Sequence, residues 1–187
     1  SLHDALPIWK KNDGLDALVA SIDEIYNEFS SGQPDLTAIR DFGRFLWLKK
    51  PQKFKYLLLF GDATFDYKNL IQYVAINPNL MIPTYESRES LDPVRSYASD
   101  DYFGFFEENE GDWKEEYDGN HTLEIGIGRL PVKTEEEAKN VVDKLIFYAQ
   151  NQKTVGSWRE KISFVADDGD GNIHQKDADE LSKIAVL

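Results

Sequence analysis

The residues best suited to chemistry lie near the end of the chain, where positions 167–172 read DDGDGN. Side-chain oxygens at alternating positions can wrap a hard cation such as calcium, and here they fall at Asp168, Asp170 and Asn172. Asp179 stands twelfth, where an EF-hand has its Glu, but Ile173 occupies the sixth position, where that loop requires Gly. Three interpretations stay open: a calcium loop, a substrate-facing acidic loop, and a strand-to-helix turn, which the pattern favours.

Two other places carry charged groups. Asp100 and Asp101 follow Ser99, but neighbouring carboxylates point in different directions, so a turn is favoured over paired acid and base catalysis. Arg129 ends an apolar segment in an acidic chain, which indicates a structural ion pair rather than a binder of a substrate carboxylate.

The sequence contains no cysteine, which excludes disulfides, thiolate metal sites and a thiol nucleophile within these 187 residues. The three histidines have no serine nucleophile beside them, and no nucleophile-elbow pattern is present. The chain therefore holds no recognisable catalytic residue of its own.

Composition limits the partners. The net charge of -13 would repel a phosphate backbone, so we expect no nucleic-acid partner. No apolar run approaches the roughly 20 residues that a membrane helix needs, and no signal peptide is visible. The acidity is typical of a solvated surface, with a basic substrate or calcium as the alternatives.

The elements that must position these residues follow from hydrophobic periodicity. We predict strands at four apolar runs and helices between them, the helices at 21–29, 35–49, 135–150 and from about 173 onward. The strands are expected at 15–20, 55–60, 123–129 and 161–166. The long polar segment 63–122 is expected to form loops with a hairpin.

This alternation predicts an α/β fold with a mainly parallel sheet and helices on both faces. Ligands of such sheets bind beyond the carboxyl ends of the strands. We therefore expect Asp62, Arg129 and residues 167–172 to meet at one edge.

The two ends of the chain lack clear signals. Residues 1–8 show no clear periodicity, and 1–11 are predicted to be poorly defined, leaving 12–187 as the folded part. The chain ends within an apolar-periodic stretch that carries no stop signal, so we expect a piece of a longer polypeptide, truncated at the C-terminus.

Several stretches together resemble one family, the gingipain-type cysteine peptidases. They read YLLLFGD at 56–62, PTYES at 83–87, SDDYFG at 99–104, LEIGIGRLP at 123–131 and FVADDGD at 164–170. These stretches resemble the sortase branch of that family, the signal peptidases of type IX secretion in Bacteroidetes, more than they resemble the gingipains themselves.

The resemblance implies a caspase-like, three-layer α/β sandwich and a cysteine endopeptidase that uses a Cys-His pair. Both catalytic residues of the family lie beyond the matched segment, so this chain would be its N-terminal lobe, inactive alone. The family implies a polypeptide substrate, the remainder of the peptidase domain as partner, and a cell-surface or outer-membrane location.

The resemblance also implies site residues. The loop holding Asp168, Asp170 and Asn172 matches a substrate-pocket loop, and Asn172 stands at or near an acidic residue of Arg-specific members. The family's calcium sites make Asp62, Asp100 and Asp168 candidate ligands, although the chemistry requires no cofactor. The alternative is a noncatalytic α/β module whose acidic face binds basic peptides or calcium.

Overall fold

The structure is a computed structural model that describes residues 2–12, 14–64, 66–68, 70, 81–87, 96–108, 110 and 121–185. The chain divides into two compact units, Ser1–Asp143 and Lys144–Leu187, and each is described by itself.

Three helices open the first unit. They are α1 (Leu2–Asn12), α2 (Ile22–Phe29) and α3 (Leu36–Lys49). Ser21 caps α2 in a capping box with Glu24, and Asp35 caps α3 by accepting a hydrogen bond from the Thr37 amide. The helices predicted at 21–29 and 35–49 are confirmed, whereas α1 lies in the segment where the sequence showed no pattern.

Four strands follow in the same unit: β1 (Tyr56–Phe60), β2 (Tyr85–Glu86), β3 (Ala98–Ser99) and β4 (Gly126–Leu130). β1 and β4 pair in parallel, with Leu57 opposite Ile127 and Leu59 opposite Arg129. β2 and β3 pair antiparallel and confirm the expected hairpin. A short 3-10 helix, Asp101–Gly104, leads out of β3.

The core of this unit lies between α2, α3, one face of β1 and the 3-10 helix. Its buried residues include Ile25, Ile39, Leu59 and Phe103, the last fully enclosed at 0% exposure. Tyr102 stacks on Tyr85 at 5.1 Å between ring centroids, which joins the hairpin to the core. The opposite face of β1, with Tyr56 and Leu58, is exposed.

The helix α4 (Glu135–Gln150) confirms the prediction at 135–150. Thr134 Oγ1 accepts a hydrogen bond from the Glu137 amide, while the Glu137 carboxylate reaches Lys133 N at 2.6 Å. The expected capping residues are therefore in place. The Glu137 carboxylate accepts from the amide of Lys133, whereas in a standard capping box it would accept from the amide of the cap residue Thr134.

The second unit contains two 3-10 turns, Gln152–Thr154 and Ser157–Glu160, and the helix α5 (Gly169–Ala185). Asp170, Gly171 and Asn172 have positive φ, so regular α-helix begins at Ile173, as predicted.

Two predicted strands are wrong. Residues 15–20 and 161–166 form no strand, and Leu18, Val19 and Val165 are exposed, Val165 at 95%. An apolar run becomes a strand only when a neighbouring backbone pairs with it, and neither run pairs with a described segment of its own unit. The fold class is confirmed as α/β with a parallel strand pair and flanking helices.

Candidate functional site

The carboxyl edge of β1 and β4 is organised around Arg129. Arg129 is the fourth residue of β4 and lies on the same sheet face as Ile127 and Leu59, because side chains alternate along a strand. Its side chain is only 11% exposed. Nε donates to Oδ2 of Asp100 and Nη2 donates to Oδ1, each at 2.7 Å, which is a bidentate ion pair.

Arg129 also binds backbone carbonyls. Nη1 donates to Gly61 O and Ile82 O, both at 3.0 Å, with Asp62 O farther away at 3.4 Å. Nη2 donates to Pro83 O at 3.1 Å. All five guanidinium N–H groups therefore have acceptors inside the protein, which leaves none for a substrate carboxylate. The prediction that Arg129 is a structural ion-pair partner is confirmed.

Asp62 is the second residue after β1 and joins this edge through its backbone and its side chain. Its amide donates to Val132 O at 3.1 Å, and its carbonyl accepts from Ile82 N at 2.9 Å. Its carboxylate lies 3.2 Å from Nζ of Lys133. Asp62, Asp100 and Arg129 thus meet at one edge, as the topology predicts for Asp62 and Arg129.

Asp100 is held from a second side. Thr84 Oγ1, 5% exposed as a residue, donates to Asp100 Oδ1 at 3.1 Å. The turn favoured for residues 99–101 is present, since the Asp101 amide donates to Ser99 Oγ at 3.2 Å and the 3-10 helix begins at Asp101. Asp101 itself is exposed.

The loop with Asp168, Asp170 and Asn172 belongs to the second unit, and all three residues are exposed there. Asp170 (φ 47°) and Asn172 (φ 63°) adopt the left-handed conformation, which Asp and Asn tolerate better than other side chains do. The His174 Nε2 atom lies 3.4 Å from Asp170 Oδ2. The loop forms the turn into α5.

Metal ligation needs several oxygen or nitrogen ligands around one point. Across the described residues, no group of three His, Cys, Asp or Glu side chains is arranged to hold a metal ion. The predicted ligands Asp62 and Asp100 are instead paired with Lys133 and Arg129.

A second cluster of acidic groups lies beside the Phe105–Phe106 peptide. Phe106 N donates to Glu124 Oε2 at 2.7 Å. Glu110 is buried at 6% exposure, and its Oε1 lies 3.5 Å from His121 Nδ1. Burial raises the pKa of Glu124, and the negative charges of Glu110 and Glu107 raise it further.

This cluster was missed because Glu107 and Glu110 sit in a polar segment without periodicity, while Glu124 lies in the apolar run 123–129, 18 positions from Phe106. The only sequence signal was the apolar run 102–106. This run is almost wholly buried, and the acidic groups lie next to it.

Comparison with known protein families identifies the family of the chain. The model of peptidase family C25 matches residues 3–186, almost the whole chain. The chain belongs to peptidase family C25. The resemblance to gingipain-type peptidases is thereby confirmed. No curated protein matches the chain significantly.

A solved structure of this kind agrees with the family assignment. The crystal structure of dimeric latent PorU from Porphyromonas gingivalis is 27% identical, with a TM-score of 0.66. The match covers 91% of this chain but 16% of the PorU chain, so this family C25 chain spans about a sixth of that protein's length. The similarity confirms the caspase-like α/β fold.

The described helices of this family C25 chain include none that is both long and apolar enough to cross a membrane.

Proposed function

We propose that this chain forms the N-terminal part of a cysteine peptidase domain and is inactive by itself. The observation that carries the proposal is the family C25 match over residues 3–186 in a sequence with no cysteine. The nucleophilic thiol and its histidine then come from other parts of the complete protein, where the imidazole activates the thiolate for acyl transfer to a peptide carbonyl.

The role left to this chain is to bind and orient the polypeptide substrate. Asp168, Asp170 and Asn172 are the substrate-contacting residues in this proposal, supported by their exposure and by their place in the loop before α5. The family resemblance implies that Asn172 stands at or near the position where Arg-specific relatives have an acid, with Asp170 close by, so a preference for cleavage after Arg or Lys is not favoured. An Asn172→Asp variant of the complete protein should gain activity toward peptides with Arg before the cleaved bond.

Similarity to PorU extends the proposal to type IX secretion. The complete protein would remove C-terminal sorting signals and transfer the cargo to an amine acceptor at the cell surface or outer membrane. The same thiol serves cleavage and transfer, because an acyl-enzyme intermediate can be released by water or by an amine.

The decisive experiment uses the complete protein and a thiol-reactive probe. We expect one cysteine to be labelled, and we expect a cargo carrying a C-terminal signal to be shortened, with mass spectrometry identifying the new carboxyl end. Replacing that cysteine by alanine should abolish both results. An amine-linked product shows transfer, whereas a free carboxylate alone shows a peptidase without sortase activity.

The net charge of -13 and the missing thiol favour a second candidate, a noncatalytic module that binds basic peptides or calcium. It predicts that the complete protein carries no probe-reactive cysteine and still binds a basic peptide. Probe labelling separates the two candidates, and binding that is independent of the thiol supports the second.

A further inference from the structure

Six oxygen atoms surround the guanidinium group of Arg129. Two belong to the carboxylate of Asp100, at 2.7 Å each. The other four are backbone carbonyl oxygens, at distances of 3.0, 3.4, 3.0 and 3.1 Å, from Gly61, Asp62, Ile82 and Pro83. With Arg129 only 11% exposed, this oxygen cage is a largely desolvated site filled by a positive charge.

The composition of the cage is that of a calcium site. Calcium takes six to eight oxygen ligands from carboxylates and backbone carbonyls, typically at about 2.3–2.6 Å. Here the longer distances are those of N–H···O hydrogen bonds, and the donors occupy both oxygens of Asp100. The Asp62 carboxylate is engaged by Lys133. The calcium ion that the family resemblance implies at Asp62 and Asp100 therefore does not fit these residues.

We propose that Arg129 is an internal cation that organises the carboxyl edge of the β1–β4 pair in the place of a calcium ion. The side chain joins three stretches that are distant in sequence: residues 61–62 after β1, residues 82–83 before β2, and Asp100 after β3. Without a cation, four carbonyl dipoles and one carboxylate would point at one another in a poorly hydrated space, which is unfavourable. The order of this edge then depends on Arg129 and is independent of calcium. The inference does not depend on the peptidase activity.

A first test empties the cage in the 187-residue chain. Arg129→Ala should lower the melting temperature by roughly 6–20 °C, because it leaves the partly buried carboxylate of Asp100 without its charged partner. Millimolar methylguanidinium should restore part of the loss, since it carries the same planar donors into the vacated space. Urea at the same concentration has the shape without the charge and should restore nothing. Wild type should respond to neither compound.

Two variants keep the test decisive if Arg129→Ala does not fold. Arg129→Lys keeps the charge but presents three donors to six oxygens, so its melting temperature should lie between wild type and Arg129→Ala. Asp100→Asn weakens the bidentate pair, and Asp101→Asn makes the same charge change one residue away on an exposed side chain. An Asp100→Asn protein as stable as Asp101→Asn overturns the proposal, and so does equal rescue of Arg129→Ala by urea and methylguanidinium.

A second test adds calcium or a chelator during melting. We expect no calcium-dependent shift that requires Asp100. A shift in wild type that disappears in Asp100→Asn overturns the proposal. A calcium-dependent shift in melting temperature that persists in Asp100→Asn and disappears in Asp168→Asn supports the proposal, because the ion then binds in the loop 167–172. Neither test requires peptidase activity, so failure of the proposed function leaves both outcomes interpretable.

Discussion

Helix α3 touches the buried ring of Phe106 at Gly43: a Cβ at this position would lie 2.9 Å from Cζ of Phe106 and 3.0 Å from its Cε1. Phe106 is 1% exposed and is further enclosed by the rings of Trp47 and Phe54, at 6.0 and 6.3 Å between centroids. The ring has little room to retreat, so the absence of a side chain at Gly43 sets how closely α3 approaches residues 103–106.

Gly43→Ala should therefore destabilise the protein. Alanine favours helix over glycine by about 1 kcal/mol, but forcing a methyl group into a packed core costs about 1–3 kcal/mol. We expect a net loss of up to about 2 kcal/mol in the free energy of unfolding, measured by urea titration. Gly128→Ala is the control, because the nearest atom to its new Cβ is Leu58 Cδ1 at 3.9 Å. A Gly43→Ala protein as stable as Gly128→Ala would contradict the packing argument.

Two arginines of α3 bind the backbone carbonyls of the same buried segment. Arg40 Nε donates to Phe105 O at 2.7 Å, and Arg44 Nε donates to Phe106 O at 2.8 Å. Arg40 is buried at 6% exposure, whereas Arg44 is partly buried. The two side chains are one helical turn apart and thus bind successive carbonyls.

Arg40→Met keeps the aliphatic stem but removes the donor from a buried carbonyl. We expect a loss of about 1–3 kcal/mol, the cost of a buried acceptor whose hydrogen bond is removed. Arg44→Met should cost less, since the hydrogen bond that it removes is partly buried, whereas the bond made by Arg40 is buried. The comparison uses urea titrations of both variants, and a larger loss in Arg44→Met than in Arg40→Met would refute the ranking.

Local sequence signals account for the elements that were predicted correctly. Ser21 and Glu24 begin α2, Thr134 and Glu137 begin α4, and the helical period fills the residues between cap and stop. The runs at 55–60 and 123–129 also predicted β1 and the parallel partner β4, with boundaries shifted by one residue for β1 and by three at the start of β4.

Long-range contacts account for what the sequence could not predict. The bond between Arg40 and Phe105 spans 65 positions, and that between Arg129 and Ile82 spans 47, so no local pattern records either one. The apolar runs at 15–20 and 161–166 show the converse, since they have strand composition but pair with none of the described residues of their own unit. Arg129 was predicted to form an ion pair because it ends a buried strand, but its four carbonyl partners come from loops without periodicity.

Two glutamates of the first unit should give pH dependences of opposite sign. The pKa of Glu124 is raised, chiefly by burial, with Glu110 and Glu107 adding to the effect. The pKa of Glu24 is lowered, because its carboxylate accepts hydrogen bonds from the backbone and the hydroxyl of Ser21, both at 2.8 Å. Each shift links the protonation of one carboxyl group to the stability of the fold.

For Glu124 the folded pKa lies above the unfolded value, so its contribution to stability is fully present below the unfolded value and is lost as pH rises through the folded one. Glu124→Gln keeps a carbonyl acceptor for the Phe106 amide and cannot ionise. The variant should therefore melt at a higher temperature than wild type at pH 7–8, and this gain should shrink toward pH 4, where both side chains are neutral.

For Glu24 the folded pKa lies below the unfolded value, so its contribution is present above the unfolded value and is lost as pH falls through the folded one. Glu24→Gln should melt at a lower temperature than wild type at pH 7 and converge with it near pH 3. Each melting-temperature difference is taken against wild type in the same buffer, which removes global acid effects that all three proteins share. If both variants melt below wild type at pH 7, the prediction for Glu124 is wrong. The bond from the Phe106 amide to the Glu124 carboxylate would then stabilise the fold by more than burial and repulsion destabilise it.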